Sequence, residues 1–138
     1  MRTWSNISLA DLEDVALEIS RIIKPGLPLL VNAEMGSGKT TFAAKLVKVL
    51  GGNELEVSSP TFSIIQSYPL ADGGFFHHVD LYRIEDEEEF LDLDMDSYLG
   101  EKDFLYIEWP EMFDRFYDLP CHRMEIVKDN KVRSFRIK

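Results

Sequence analysis

The sequence predicts an α/β fold with three layers, a mixed central sheet and a C-terminal β-hairpin. Three observations carry this. Short apolar runs alternate with stretches whose apolar residues recur at helical spacing. One such run, "LPLLVN" (27–32), passes through a glycine-containing loop directly into a helical pattern. The tail, "CHRMEIVKDNKVRSFRIK", reads as two strands turning at Asp129–Asn130.

The 138 residues give room for one core, so a single domain over 1–138 is expected. A 45% hydrophobic and 12% aromatic content argues against a disordered chain. No segment approaches the roughly 20 apolar residues that span a bilayer, and "MRTWSNIS" lacks the apolar stretch of a secretory signal. The single cysteine, Cys121, excludes an intrachain disulfide framework and reads as a buried apolar residue. These features together point to a reducing cytosol. The net charge of −10 is uneven: +1 over residues 1–50, −14 over 51–115 and +3 over 116–138. The acidic middle would repel a nucleic acid, so any RNA is expected to be held mostly by another protein.

Taken in order, Ser8 with Asp11 resembles the start of a helix. Leu12, Ala16, Ile19 and Ile23 then recur on one face until "PG" at 25–26 stops it. "LPLLVN" is a buried strand. From Thr40 to Leu50 a second helix turns Phe42, Leu46, Val49 and Leu50 to one side, and Gly51 ends it. "TFSIIQSYPL" and "FFHHVDL" are strands joined by "ADGG". "EDEEEFLDLDMDSYL" reads as a helix with Leu91, Met95 and Tyr98 or Leu99 inward, its acidic start suiting the positive end of the helix dipole. "FLYIEW" (104–109) is a further strand.

Between the first strand and second helix lies "AEMGSGKT" (33–40), matching the phosphate-loop pattern except for alanine at the first glycine position. Gly36 and Gly38 permit backbone angles closed to other residues, so successive N–H groups can converge on an anion. Lys39 would reach the β- and γ-phosphates, Thr40 would offer a hydroxyl to Mg²⁺, and the helix N-terminus would face the anion. Ala33 stands at the strand exit, where a methyl group is tolerated. This makes the fold P-loop NTPase-like.

Such a site needs a carboxylate at a neighbouring strand end. Asp80 ends "FFHHVD" and Glu108 ends "FLYIE", both where ligands gather in open α/β sheets. The plain alternative for each is a solvated carboxylate. His77 and His78 point to opposite faces of a strand and so do not suit a shared zinc. Thr61, in "SSPTF" (58–62), could sense a γ-phosphate or simply cap a proline-fixed turn. Trp109-Pro110 could close the core at a strand end.

The ordered set "AEMGSGKTT", "SPTF", "HVDLYR" and "IEWPE" closely resembles the TsaE family, over roughly residues 10–112. The resemblance implies a bacterial P-loop ATPase needed for N6-threonylcarbamoyladenosine (t6A) on tRNA, acting with TsaD and TsaB and meeting tRNA through that complex. It implies that Gly36, Ser37, Gly38, Lys39, Thr40 and Thr41 cradle the phosphates of ATP, and that Thr40 and Glu108 hold Mg²⁺. It further implies that Asp80 orders the metal or the attacking water, and that Thr61 belongs to a nucleotide-responsive loop. Arg83 and Trp109 match motif positions without a separable role. Leu12 and Ala16 stand where the family often has threonine and glycine, which bears on contacts to the adenine end. Two other readings remain open on the residues alone: a nucleotide-dependent adaptor with negligible turnover, and a small-molecule P-loop kinase.

Overall fold

The protein is described by a computed structural model over residues 1–34, 38–57 and 64–138. Seven strands form one sheet: β1 (Arg2–Ile7), β2 (Leu29–Ala33), β3 (Ile65–Pro69), β4 (Phe75–Asp80), β5 (Phe104–Glu108), β6 (His122–Asp129) and β7 (Val132–Ile137). Their order is β1-β7-β6-β2-β5-β4-β3. The four central strands, β6-β2-β5-β4, run parallel, while β1, β7 and β3 pair antiparallel. The expected mixed sheet is present, and its two innermost strands, β2 and β5, carry unbroken buried runs, as strands covered on both faces must.

Four α-helices are described: α1 (Leu12–Ser20), α2 (Lys39–Val49), α3 (Glu87–Asp92) and α4 (Glu111–Phe116). Strand alternation sends successive β2 side chains to opposite layers. Leu29 and Val31 join α1 and α2 in one buried cluster, and Leu30 joins Phe90 of α3 and Phe113 of α4 in the other. These are the three layers. Leu12, Ala16, Ile19 and Ile23 are all buried as their spacing requires, although α1 closes at Ser20, before the Pro25-Gly26 pair. In α2, Phe42 and Leu46 are buried and Val49 and Leu50 pack against the same cluster. Gly51, at φ +100°, ends it in the left-handed conformation that glycine takes without strain. The β3–β4 hairpin and the β6–β7 hairpin, with Asn130 at φ +58°, form where the turn residues place them.

Two expectations change. The acidic segment is not one helix: α3 stops at Asp92, Asp94 takes φ +51°, and Met95–Tyr98 form a separate 3-10 turn. Within α3, Phe90 faces inward at 1% exposure and Leu91 faces out at 60%. The ring of Phe90 stacks on Phe116 of α4 at 5.5 Å and meets Tyr117 edge-on at 6.2 Å. A larger aromatic surface therefore wins the inward position. Two elements were also not expected, β1 and α4. Residues 58–63, which include the start of the anticipated "TFSIIQSYPL" strand, lie outside the described residues, and β3 is described from Ile65.

Candidate nucleotide-binding site

The site is built where β2 hands over to α2. Gly38 precedes the first helical residue at φ +94°, a conformation that turns the chain sharply into the helix. Lys39 is therefore the first residue of α2, and its side chain lies back along the strand ends instead of in solvent. The ammonium is 3.3 Å from Glu108 Oε1 at the end of β5 and 3.5 Å from the Ala33 carbonyl. It also lies 4.7 Å from the centre of the Trp109 ring, within cation–π range. Trp109 takes φ +55°, an uncommon backbone conformation for a bulky residue, and its ring also touches that of Tyr82 at 4.9 Å.

Glu108 is 2% exposed. A carboxylate so deeply placed must be paired. One oxygen faces Lys39, and the other accepts a hydrogen bond from His78 Nε2 on β4. His78 is fully buried, and its ring meets Tyr106 edge-on at 5.2 Å. Tyr106 in turn donates its hydroxyl to the Lys39 carbonyl at 3.2 Å, tying β5 to the first turn of α2. Burial first, and the nearby Glu108 charge second, push the Tyr106 phenol well above its ordinary value, so it stays a hydrogen-bond donor. A buried ion pair adds little net stability because desolvation offsets its attraction. This one stands at the end of β5, beside the start of α2.

The parallel register sets Asp80 directly beside Glu108, so the two carboxylates share one end of adjacent strands. Asp80 Oδ1 accepts the Tyr82 N–H at 3.0 Å, which orients its carboxylate. Thr40, half-buried, follows Lys39, and Thr41 is exposed. The structure thus brings together Lys39, Glu108 and Asp80 with Gly38 and Thr40. Gly36, Ser37 and Thr61 lie outside the described residues. Arg83 is exposed. The two histidines diverge as expected: His77 bonds Ser67 Oγ at 2.7 Å and Asp103 at 3.1 Å, away from His78.

Two residues were given no role at this site from sequence, His78 having been weighed only as a zinc ligand. His78 was legible in principle, since its spacing of two from Asp80 puts both on one face. Arg133 carried no such signal. It comes from β7, is 8% exposed, and its Nε would lie 2.6 Å from a Cβ on Gly38.

The available donors, a hydroxyl and carboxylates, are hard oxygens that suit magnesium. Among the described residues no three His, Cys, Asp or Glu side chains converge as a metal cage. That is compatible with a magnesium ion that takes one or two protein oxygens and completes its shell with phosphate and water.

Comparison with known proteins identifies relatives of this chain. The chain is 34% identical over 125 residues to the tRNA threonylcarbamoyladenosine biosynthesis protein TsaE of Bacillus subtilis, covering 90% of this chain and 75% of that one. It is 35% identical over 132 residues to the protein of the same name from Aquifex aeolicus, covering 91% and 90%. In fold it resembles the crystal structure of YdiB from Bacillus subtilis, with a TM-score of 0.69 at 22% identity over 97% of this chain and 82% of that one. A family model for the threonylcarbamoyl adenosine biosynthesis protein TsaE matches residues 7–136. The chain belongs to the TsaE family of threonylcarbamoyl adenosine biosynthesis proteins.

Proposed function

We propose that this protein binds and hydrolyses ATP with Mg²⁺ in tRNA t6A synthesis, supporting turnover of TsaD and TsaB type proteins and meeting tRNA through them. The observation that carries the reading is the buried Lys39–Glu108 pair at the start of α2, at 3.3 Å. Each member is the group that a nucleotide would claim separately. Lys39 would turn from the carboxylate to the phosphate oxygens, joined by the loop amides and the α2 N-terminus. Glu108 and Thr40 would hold magnesium. The ion, when bound, neutralises charge on the phosphate oxygens. Asp80, held beside Glu108, orients a water for in-line attack. Catalysis is then positioning and electrostatics, without a covalent step on the protein.

Calorimetry with magnesium and ATP tests the site directly. The parent protein binds, and Lys39→Ala binds roughly 10- to 150-fold more weakly, the equivalent of about 1.5–3 kcal/mol for a charge-assisted hydrogen bond. In tRNA modification reconstituted from purified components, the parent supports t6A formation and Lys39→Ala does not. Hydrolysis is slow alone and faster with TsaD and TsaB. Failure to bind adenine nucleotide at millimolar concentration, with or without those partners, would end this reading. A Glu108→Gln protein that supports modification without hydrolysis would instead make it an adaptor.

A further inference from the structure

We propose that His78 is a positioning residue for Glu108, holding the carboxylate in the orientation from which it faces a divalent cation once Lys39 has moved to phosphate. The inference rests on the nucleotide-binding reading above. Glu108 has two partners, one on each oxygen: Lys39 on Oε1 and His78 on Oε2. A nucleotide removes the first partner and leaves the second. Without it, a carboxylate at 2% exposure would be free to rotate about its last torsion and would lose its remaining hydrogen bond.

His78 is itself fixed. Its strand pairs in register with β5 at Tyr106, the Tyr106 ring meets it edge-on, and the side chain has no exposure to solvent. Its other nitrogen, Nδ1, is buried with no hydrogen-bond partner among the described residues. That arrangement makes little sense for packing alone. An apolar side chain would fill the same space without leaving a polar atom unsatisfied. Among the described residues the one hydrogen bond the ring makes goes to Glu108, and the carboxylate fixes the ring proton on Nε2.

The test measures affinity for a non-hydrolysable ATP analogue with magnesium, and for ADP in EDTA, in the parent, His78→Met and His78→Gln. Methionine removes the donor at similar volume, whereas glutamine places an N–H at the reach of Nε2. His78→Met should lower the magnesium-dependent gain in affinity by about 10- to 100-fold, the usual effect of removing a group that orients a metal ligand. Its affinity for ADP in EDTA should not change, and His78→Gln should recover most of the magnesium effect. The proposal is overturned if His78→Met keeps the parent's magnesium dependence, if it loses affinity equally in both conditions, or if glutamine restores nothing. If His78→Met does not fold, His78→Gln against His78→Asn decides, because asparagine is one bond too short to reach Oε2. Equal magnesium dependence in those two overturns the proposal as well. Absence of nucleotide binding by the parent would overturn the site as a whole, and is visible before any His78 variant is made.

Discussion

At Gly38 the backbone takes φ +94°, and a Cβ built there would lie 2.6 Å from Arg133 Nε and 3.2 Å from its Cζ. Two separate penalties therefore meet at one residue. The left-handed conformation costs a side-chain-bearing residue roughly 1–2 kcal/mol. The contact also forces a half-rigid guanidinium to move. We predict that Gly38→Ala lowers Tm by roughly 4–10 °C and, under the proposed function, weakens nucleotide binding, since the turn would also aim α2 at the phosphate. Thermal unfolding of Gly38→Ala, Arg133→Ala and the double variant separates the two penalties. The double variant should regain the part due to contact and keep the part due to backbone angle. Strict additivity of the two single changes would show that Arg133 does not press on Gly38. The same residue shows where sequence reading stops. The glycine is marked by the loop motif, but Arg133 is brought to it only by the C-terminal hairpin, which no local pattern connects to residue 38.

Among the elements, α3 separates what periodicity settles from what packing settles. Phe90 and Leu91 are neighbours in an acidic run, and either could head an inward face. The rings of Phe116 and Tyr117, far off in sequence, decide for Phe90. Phe90→Ala should therefore destabilise the fold by about 3–5 kcal/mol, whereas Leu91→Ala should stay within about 0.5 kcal/mol. Denaturant unfolding of both variants checks this, and the reverse ranking would restore the longer helix expected from sequence. Helices α1 and α2 were legible because each presents several apolar residues at one spacing to a single cluster. Strands β2 and β5 were legible as unbroken apolar runs, and the acids that end β4 and β5 were legible with them. Strand β1 was not. Of its six residues only Trp4 and Ile7 are even partly buried, and its pairing with β7 is interrupted by a bulge between them. Its alternation is thus weak, and its partner comes from the opposite end of the chain. Helix α4, with Phe113 as its one buried residue, is too short to show a period.

Across the molecule, the sheet order converts the uneven charge of the chain into two sides. The basic β6–β7 hairpin lies on one side of β2, and β5, β4 and the acidic segment connecting them lie on the other, with the start of α2 following β2 between them. In that segment Glu85, Asp86, Glu87, Glu88, Glu89, Asp92, Asp94 and Asp96 are all exposed. The first of them are tolerated because Asp86 caps α3 by accepting the Glu89 N–H at 2.8 Å and the helix dipole favours acids there. Under the proposed function, this face is the one that steers a basic surface of the partner complex, and steering of that kind acts on association rate and is screened by salt. The triple charge reversal Glu85→Lys, Glu88→Lys and Glu89→Lys leaves the Glu87–Arg115 contact in place. It should slow association with TsaD and TsaB by about tenfold or more at low ionic strength while leaving affinity for ADP unchanged. In the parent, stimulation of hydrolysis by the partners should decline as salt is raised, and in the reversed protein that decline should flatten. Stimulation that ignores both salt and charge reversal would assign these carboxylates to solvation alone and move the docking surface elsewhere on the molecule.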